Sequence, residues 1–264
     1  ALASVLEFPA IIGLGILGGL VAIAFMRGTF AIEDAARRLP GPQALRPALG
    51  GFILGMIAIA FPQVLGVGYD ATDMALKLQF SLWLLLALVI AKTLASAVSL
   101  GMGFSGGVFS PTLMIGAMLG GAYGIVVTAI FPDYSSGPGA YTVIGMGAVA
   151  AAVLGAPIST TLMVFELTNN YPLTLGVMIA VVISCVITQR VAGRSFFSLQ
   201  LARAGHDLKN GFETGVLRTT NVQAVMRADP DCVPASLSLP DIRSRLQKSE
   251  SGILFVVDDA GEFV

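Results

Sequence analysis

From Thr93 up to Arg190 the chain carries only two charged side chains, Asp133 and Glu166, and the uncharged stretches 93–132 and 134–165 run to 40 and 32 residues. No other feature constrains the fold as much. A helix crossing the hydrocarbon core of a bilayer needs about 20 apolar residues. Both stretches exceed one crossing, and neither offers the charged surface of a soluble domain. Each is interrupted, the first by GMGFSGG and the second by GAPIS, and Pro111 and Pro157 follow the two breaks. This is the pattern of short helices that begin part-way through a bilayer, where irregular backbone is tolerated only against protein or a water-filled cavity. Glycine and proline also kink ordinary spans, but two breaks, each leading into a further apolar run, favour broken helices.

Two more uncharged runs, 8–26 and 47–69, each fit one crossing, and Lys92 divides the apolar run 78–91 from the next. Charged residues make up 12% of the chain, against about 25% in a soluble domain. The 31 glycines suit closely packed membrane helices. A net charge of −1 provides no global field for nucleic acid. Cys185 and Cys232 are too few and too far apart for a disulfide framework or metal site. Basic residues gather at Arg27, Arg37, Arg38 and Arg46, and again at Arg190, Arg194 and Arg203, while the segment around Asp133 has none. The positive-inside rule then places both clusters and the C-terminal tail in the cytoplasm of a multi-pass cell-membrane protein. The chain opens ALASVLEFP and ends GEFV, with no initiator Met or signal-type leader, and reads as a fragment.

After about residue 205 the texture turns polar. Residues 205–216 read as a linker, and NVQAVM as a short helical turn. SLPDIRSRLQKS is an amphipathic helix with Leu239, Ile242 and Leu246 at helical spacing, GILFVVD a short strand, and DAGEF a turn. The expected organisation is a membrane domain over 1–204, a linker, and the start of a small α/β module over 217–264.

The first break matches GxGxxG at Gly101, Gly103 and Gly106. A dinucleotide site needs a preceding strand and an acid about 20 residues on. Here another membrane-grade run precedes it, and the first acid, Asp133, lies 27 residues past Gly106. An anion site fits the setting better. A helix beginning near Phe109 leaves its first N–H groups without intrahelical partners, and the macrodipole adds about half a positive charge there. Gly106 and Gly107 let a ligand approach the backbone, and Pro111 in the first turn lacks only an N–H that would be an orphan anyway. Partial charges hold an anion without trapping it as a buried cation would.

GGVFSPTL resembles the G-x-F-x-P signature of the CLC family of chloride channels and chloride/proton exchangers. PALGGFILGMIAIAFPQVLGVGYD, AKTLASAVSLGMGFSGGVFSPTL and IGMGAVAAAVLGAPISTTLMVFELTNNYPL resemble the segments around that signature. VLRTTNVQAVM through GILFVVDDAGEFV looks like the first half of a cystathionine-β-synthase-type (CBS) repeat. The resemblance implies an all-α polytopic membrane fold of inverted repeats with broken, re-entrant helices, of which this chain holds the second repeat. It also implies a homodimer with an anion path in each subunit. Chloride would be bound by the amides of Val108 and Phe109, with Gly106, Gly107 and Pro111 shaping the turn. The family's pore tyrosine corresponds to Phe197, so its hydroxyl donor is lost. The serine-bearing turn G-S-G-I-P and the gating turn G-[KR]-E-G-P belong to the first repeat, and neither occurs here.

Glu166 should be buried in MVFELTNNY, as a functional carboxylate or one satisfied by neighbouring amides. Lys92 is expected to snorkel to the interface. Glu33 and Asp34 read as a solvated loop cluster with the nearby arginines, and His206 as a surface residue. No catalytic constellation can be assembled, so neither an enzyme nor a cofactor is expected. The competing reading is a nucleotide-sensing CBS module anchored by a membrane domain, in which adenine nucleotide binds a complete CBS pair.

Overall fold

The computed structural model describes residues 7–40, 42, 45–204, 221, 223, 231–249, 252–258 and 262–263. The chain divides into two units, Ala1–Gly205 and His206–Val264.

The first unit is helical: α1 (Phe8–Arg38), α2 (Leu45–Ala60), α3 (Tyr69–Leu76), α4 (Leu82–Gly101), α5 (Phe109–Ile130), α6 (Pro138–Leu154), α7 (Pro157–Thr168), α8 (Tyr171–Ala192) and α9 (Phe196–Arg203). Among the described residues four segments are long and apolar enough to cross a membrane: Phe8–Arg38, Leu82–Gly101, Phe109–Ile130, and Tyr171–Arg203, which joins α8 and α9. The local chemistry sets their ends. The side chains of Ser81 and Asn170 accept from Leu84 N and Leu173 N at the starts of α4 and α8. Prolines occupy the first turns of α6 and α7, and left-handed Gly155 and Gly193 close α6 and α8.

Both long uncharged stretches divide at their breaks, into α4 and α5 at GMGFSGG and into α6 and α7 at GAPIS. Three expectations need correcting. The run 47–69 is not one crossing, because α2 stops at Ala60 and Pro62–Val64 form a 3-10 turn. Proline cannot extend a helix, since it lacks the N–H and clashes with the preceding turn. The helix after the first break is not short: α5 has 22 residues, whereas α7, after the second, has 12. Finally, Glu33 and Asp34 lie in no loop, because α1 continues through its charged end to Arg38. Glu33 pairs with Arg37 one turn on at 2.5 Å, and Asp34 with Arg203 of α9.

Glycines bring the helix backbones together. Gly116, Gly120 and Gly124 form one stripe on α5. A Cβ there would stand 2.3 Å from Gly145 O, 2.1 Å from Tyr141 O and 2.7 Å from Pro138 Cα of the antiparallel α6. No other residue permits that approach. Gly15 and Gly19 of α1 abut Ala180 O and Ser184 O of α8 in the same manner. Around these contacts Met114, Ile115, Met118, Tyr141, Ile144 and Val149 are almost wholly buried. The buried Glu7 carboxylate, which the sequence did not flag, accepts from Ser136 N, Ser136 Oγ and Tyr141 OH. It ties the head of α1 to the α5–α6 connection.

In the second unit, β1 (Cys232–Pro234), α10 (Leu239–Lys248) and β2 (Phe255–Val257) follow in order, and the strands pair in parallel with Val233 opposite Val256. The helix and second strand match expectation. Three residues are too short a run to show period-two alternation, so β1 was not foreseen. Val257 and Phe263 form an antiparallel bridge, while residues 259–261 of the expected turn lie outside the described residues. The linker 205–216, His206 and most of NVQAVM lie outside the described residues.

Gly120→Ala should lower the melting temperature of the detergent-solubilised protein by several degrees, the scale of about 1–3 kcal/mol for overpacking. Gly28→Ala, where a Cβ meets open space, should leave it unchanged or raise it. Thermal-stability chromatography of the two variants checks the ranking.

Candidate anion site

The segment between α4 and α5 uses each of its glycines for a different physical purpose. At Gly101 a Cβ would fall 2.7 Å from Ile32 Cγ2 and 2.9 Å from Glu33 N, so this glycine seats α4 against α1. Gly103 has φ +92°. Its N–H bonds Leu100 O at 3.2 Å while Phe104 N–H bonds Ser99 O at 3.0 Å, the Schellman closure of a helix by a left-handed residue. Gly106 and Gly107 have neither positive φ nor a neighbour within 4 Å of a Cβ. Backbone strain and packing therefore do not call for glycine at these two positions. Their absent side chains leave the turn open.

The turn delivers the chain into α5. Val108 is the N-cap residue, 2% exposed, with no side-chain cap; Phe109 begins the helix, and Pro111 lies in its first turn. Among the described residues no group accepts from the N–H groups of Gly107, Val108, Phe109 or Ser110. The first turn contains no acidic residue. These donors, with the positive end of a 22-residue helix dipole behind them, form a concentrated positive potential without a cationic side chain.

A loop braces this terminus. Ser110 Oγ donates to Val67 O at 2.8 Å. Gly68, φ +90°, fits so closely under Met114 that a Cβ would lie 2.4 Å from its sulfur. Behind the loop, Lys92 of α4 donates to Val64 O at 2.8 Å and Gly66 O at 3.0 Å. Lys92 is 3% exposed, so the expectation that it snorkels outward is overturned. Carbonyls turned inward by the 3-10 turn and its glycines satisfy the ammonium where it lies. A lone cation inside an apolar run signals a buried role, but its acceptors, 26 and 28 residues away, are visible only in the fold.

The remaining candidates lie apart. Phe197 is 50% exposed on α9. Its neighbour Phe196 is buried, stacks on Phe30 at 5.2 Å and lines a cavity of about 550 Å³ that ends against residues 101–106. Glu166, expected to be buried, is exposed near the end of α7. That short helix buries only Thr160 and Val164, so the carboxylate stays on its outer side. Among the described residues no group of three or more His, Cys, Asp or Glu gathers as a metal site.

Comparison with known proteins gives a consistent result. The profile of the family described as voltage gated chloride channel matches residues 1–189. Over 202 residues the chain is 39% identical to a ClcB-like protein of Ralstonia nicotianae, covering 76% of this chain and 47% of that protein. It is 33% identical over 194 residues to the H(+)/Cl(-) exchange transporter ClcA of Cronobacter sakazakii, covering 72% and 42%. Among solved structures, a slow cyanobacterial Cl-/H+ antiporter superposes with a TM-score of 0.68 at 29% identity, covering 76% of this chain and 48% of that one. The chain thus spans about half the length of the relatives it matches.

Lys92→Met leaves two inward carbonyls without their donor, a loss of about 1–3 kcal/mol for each buried group left unsatisfied. Hydrogen exchange in peptides covering 61–68 and the first turn of α5 should accelerate markedly, with Lys92→Arg intermediate. Unchanged protection in Lys92→Met would show that the brace does not depend on this side chain.

Proposed function

The chain belongs to the voltage gated chloride channel family, and from that premise we propose that its helical unit is the second repeat of a protein that carries chloride across a cell membrane. The anion is held by the backbone N–H groups of Val108 and Phe109. Gly106 and Gly107 keep the approach open and Pro111 rigidifies the first turn; the family resemblance assigns an aromatic wall without a hydroxyl donor to Phe197, whose neighbour Phe196 is the ring that lines the cavity. The observation that carries this reading is the cluster of unpartnered donors at the head of a buried helix, beside two glycines that neither conformation nor packing requires. Chloride is large and weakly hydrated, so several partial charges can replace its water while still releasing it.

The family resemblance extends the proposal to a homodimer in the bilayer with one path per subunit. Arg37 and Arg38, Arg190, and Arg203 fall in the last turns of α1, α8 and α9, which supports a cytoplasmic location for those ends and for the tail. The parallel β1–α10–β2 unit supports reading 217–264 as the beginning of a CBS module, whose adenine nucleotide would need a complete pair. A primarily nucleotide-sensing role is less favoured, because the relatives are named for chloride transport.

Liposomes containing the complete protein should release chloride once a counter-ion path is supplied; cation flux without chloride flux would refute the proposal. Because amides do the binding, Gly107→Val should slow flux by about tenfold or more by filling the space over the N–H groups. Phe109→Leu, which keeps its amide, should stay within about threefold. The reverse ranking would indicate recognition by side chains.

A further inference from the structure

The cavity that ends against residues 101–106 has a charged wall. Glu33, Arg37, Arg46 and Gln200 line it opposite the glycine segment. Two of these four groups neutralise one another, since Arg37 is bound to Glu33 at 2.5 Å. Arg46 differs. Among the described residues it forms no ion pair, and its single hydrogen bond is a long one, Nη2 donating to Arg37 O at 3.4 Å. Its Nε is buried and has no acceptor among the described residues. A guanidinium presents five donors in a rigid fork and is weakly hydrated. Leaving the buried Nε donor unpaired costs free energy, which a visiting anion would offset.

We infer that Arg46 is an anion-capture residue: it binds chloride transiently in this cavity and passes it to the N–H groups at the head of α5. The inference rests on the proposed chloride transport and names a second, weaker station on the same path. The spacing suits that role. The cavity reaches Gly106, one residue short of the open amides at 107–109, so an ion leaving the guanidinium enters the turn directly. Glu33 limits the capture by keeping Arg37 occupied, leaving one effective positive charge on the wall. One charge raises the local anion concentration without the deep trap that two adjacent guanidiniums would form. The long bond to the Arg37 carbonyl also places Arg46 at the C-terminus of α1, where a cation complements the helix dipole. A purely capping role predicts a different outcome.

The test is chloride flux through the complete protein in liposomes, read as a function of chloride concentration on the side where α1 ends. Arg46→Gln should raise the half-saturating chloride roughly three- to tenfold at low ionic strength while the maximal rate stays within about twofold. Arg46→Lys, which retains the charge, should remain near wild type. The Arg46→Gln difference should shrink when impermeant salt is raised from about 20 to 200 mM, as the Debye length falls. An unchanged half-saturation, or a lower maximal rate with unchanged half-saturation, would overturn the inference and leave Arg46 a cap of α1. Should Arg46→Gln not assemble, wild-type flux carries the test: half-saturation must rise with impermeant salt, and a flat response overturns the inference. A wild type that moves no chloride defeats the transport reading itself, whereas chloride flux insensitive to residue 46 defeats only this inference.

Discussion

The backbone-to-backbone contact between α5 and α6 governs the placement of everything around it. In a bilayer, helices gain little from hiding apolar side chains from lipid, so association depends on close packing. The stripe of Gly116, Gly120 and Gly124 lets α6 approach until carbonyl oxygens stand where side chains would otherwise be. Every residue of α5 from Thr112 to Ala122 is buried. A helix held that rigidly can present its N-terminus at a defined point, and the glycine turn, the brace from Val67 and the cavity all converge on that point.

Charge is arranged so that Arg46 is the one cation left unpaired, among the described residues, in the cavity that ends at the turn. Lys92 is the cation nearest to it in sequence, and two loop carbonyls consume its donors. Arg37 is spent on Glu33 and Arg203 on Asp34. The turn itself presents a set of peptide dipoles whose sum is a fraction of a charge. Under the proposed chloride-binding role, such a site would favour an anion over water and over cations while keeping the exit barrier low. The same division of labour explains the glycines: Gly101 allows packing and Gly103 allows a turn, whereas Gly106 and Gly107 remove obstruction.

Much of this was legible in the residues because bilayer physics is severe. An uncharged run must be either a span or a break, so the divisions at GMGFSGG and GAPIS, the first turn at Pro157, and the start of α5 follow from local pattern. Errors arose where a long-range partner overrode a local rule. Lys92 reads as an interfacial lysine until the carbonyls of Val64 and Gly66 are placed beside it. Glu166 reads as buried by its apolar neighbours, yet α7 is a short peripheral helix with its outer side uncovered. Glu7 carried no signal, because its donors, Ser136 and Tyr141, lie more than 120 positions away.

The residues alone determined that the chain is a membrane protein, where its helices break, and that the break before Phe109 leaves amide donors without partners, since these follow from hydropathy, from missing N–H groups and from the i to i−4 rule. The tertiary structure decided which glycines pack helices and which leave the turn open, where Lys92 and Glu7 find their partners, and that Arg46 and the glycine turn share one cavity. Those facts depend on contacts between segments distant in the chain, and no local spacing encodes such distances.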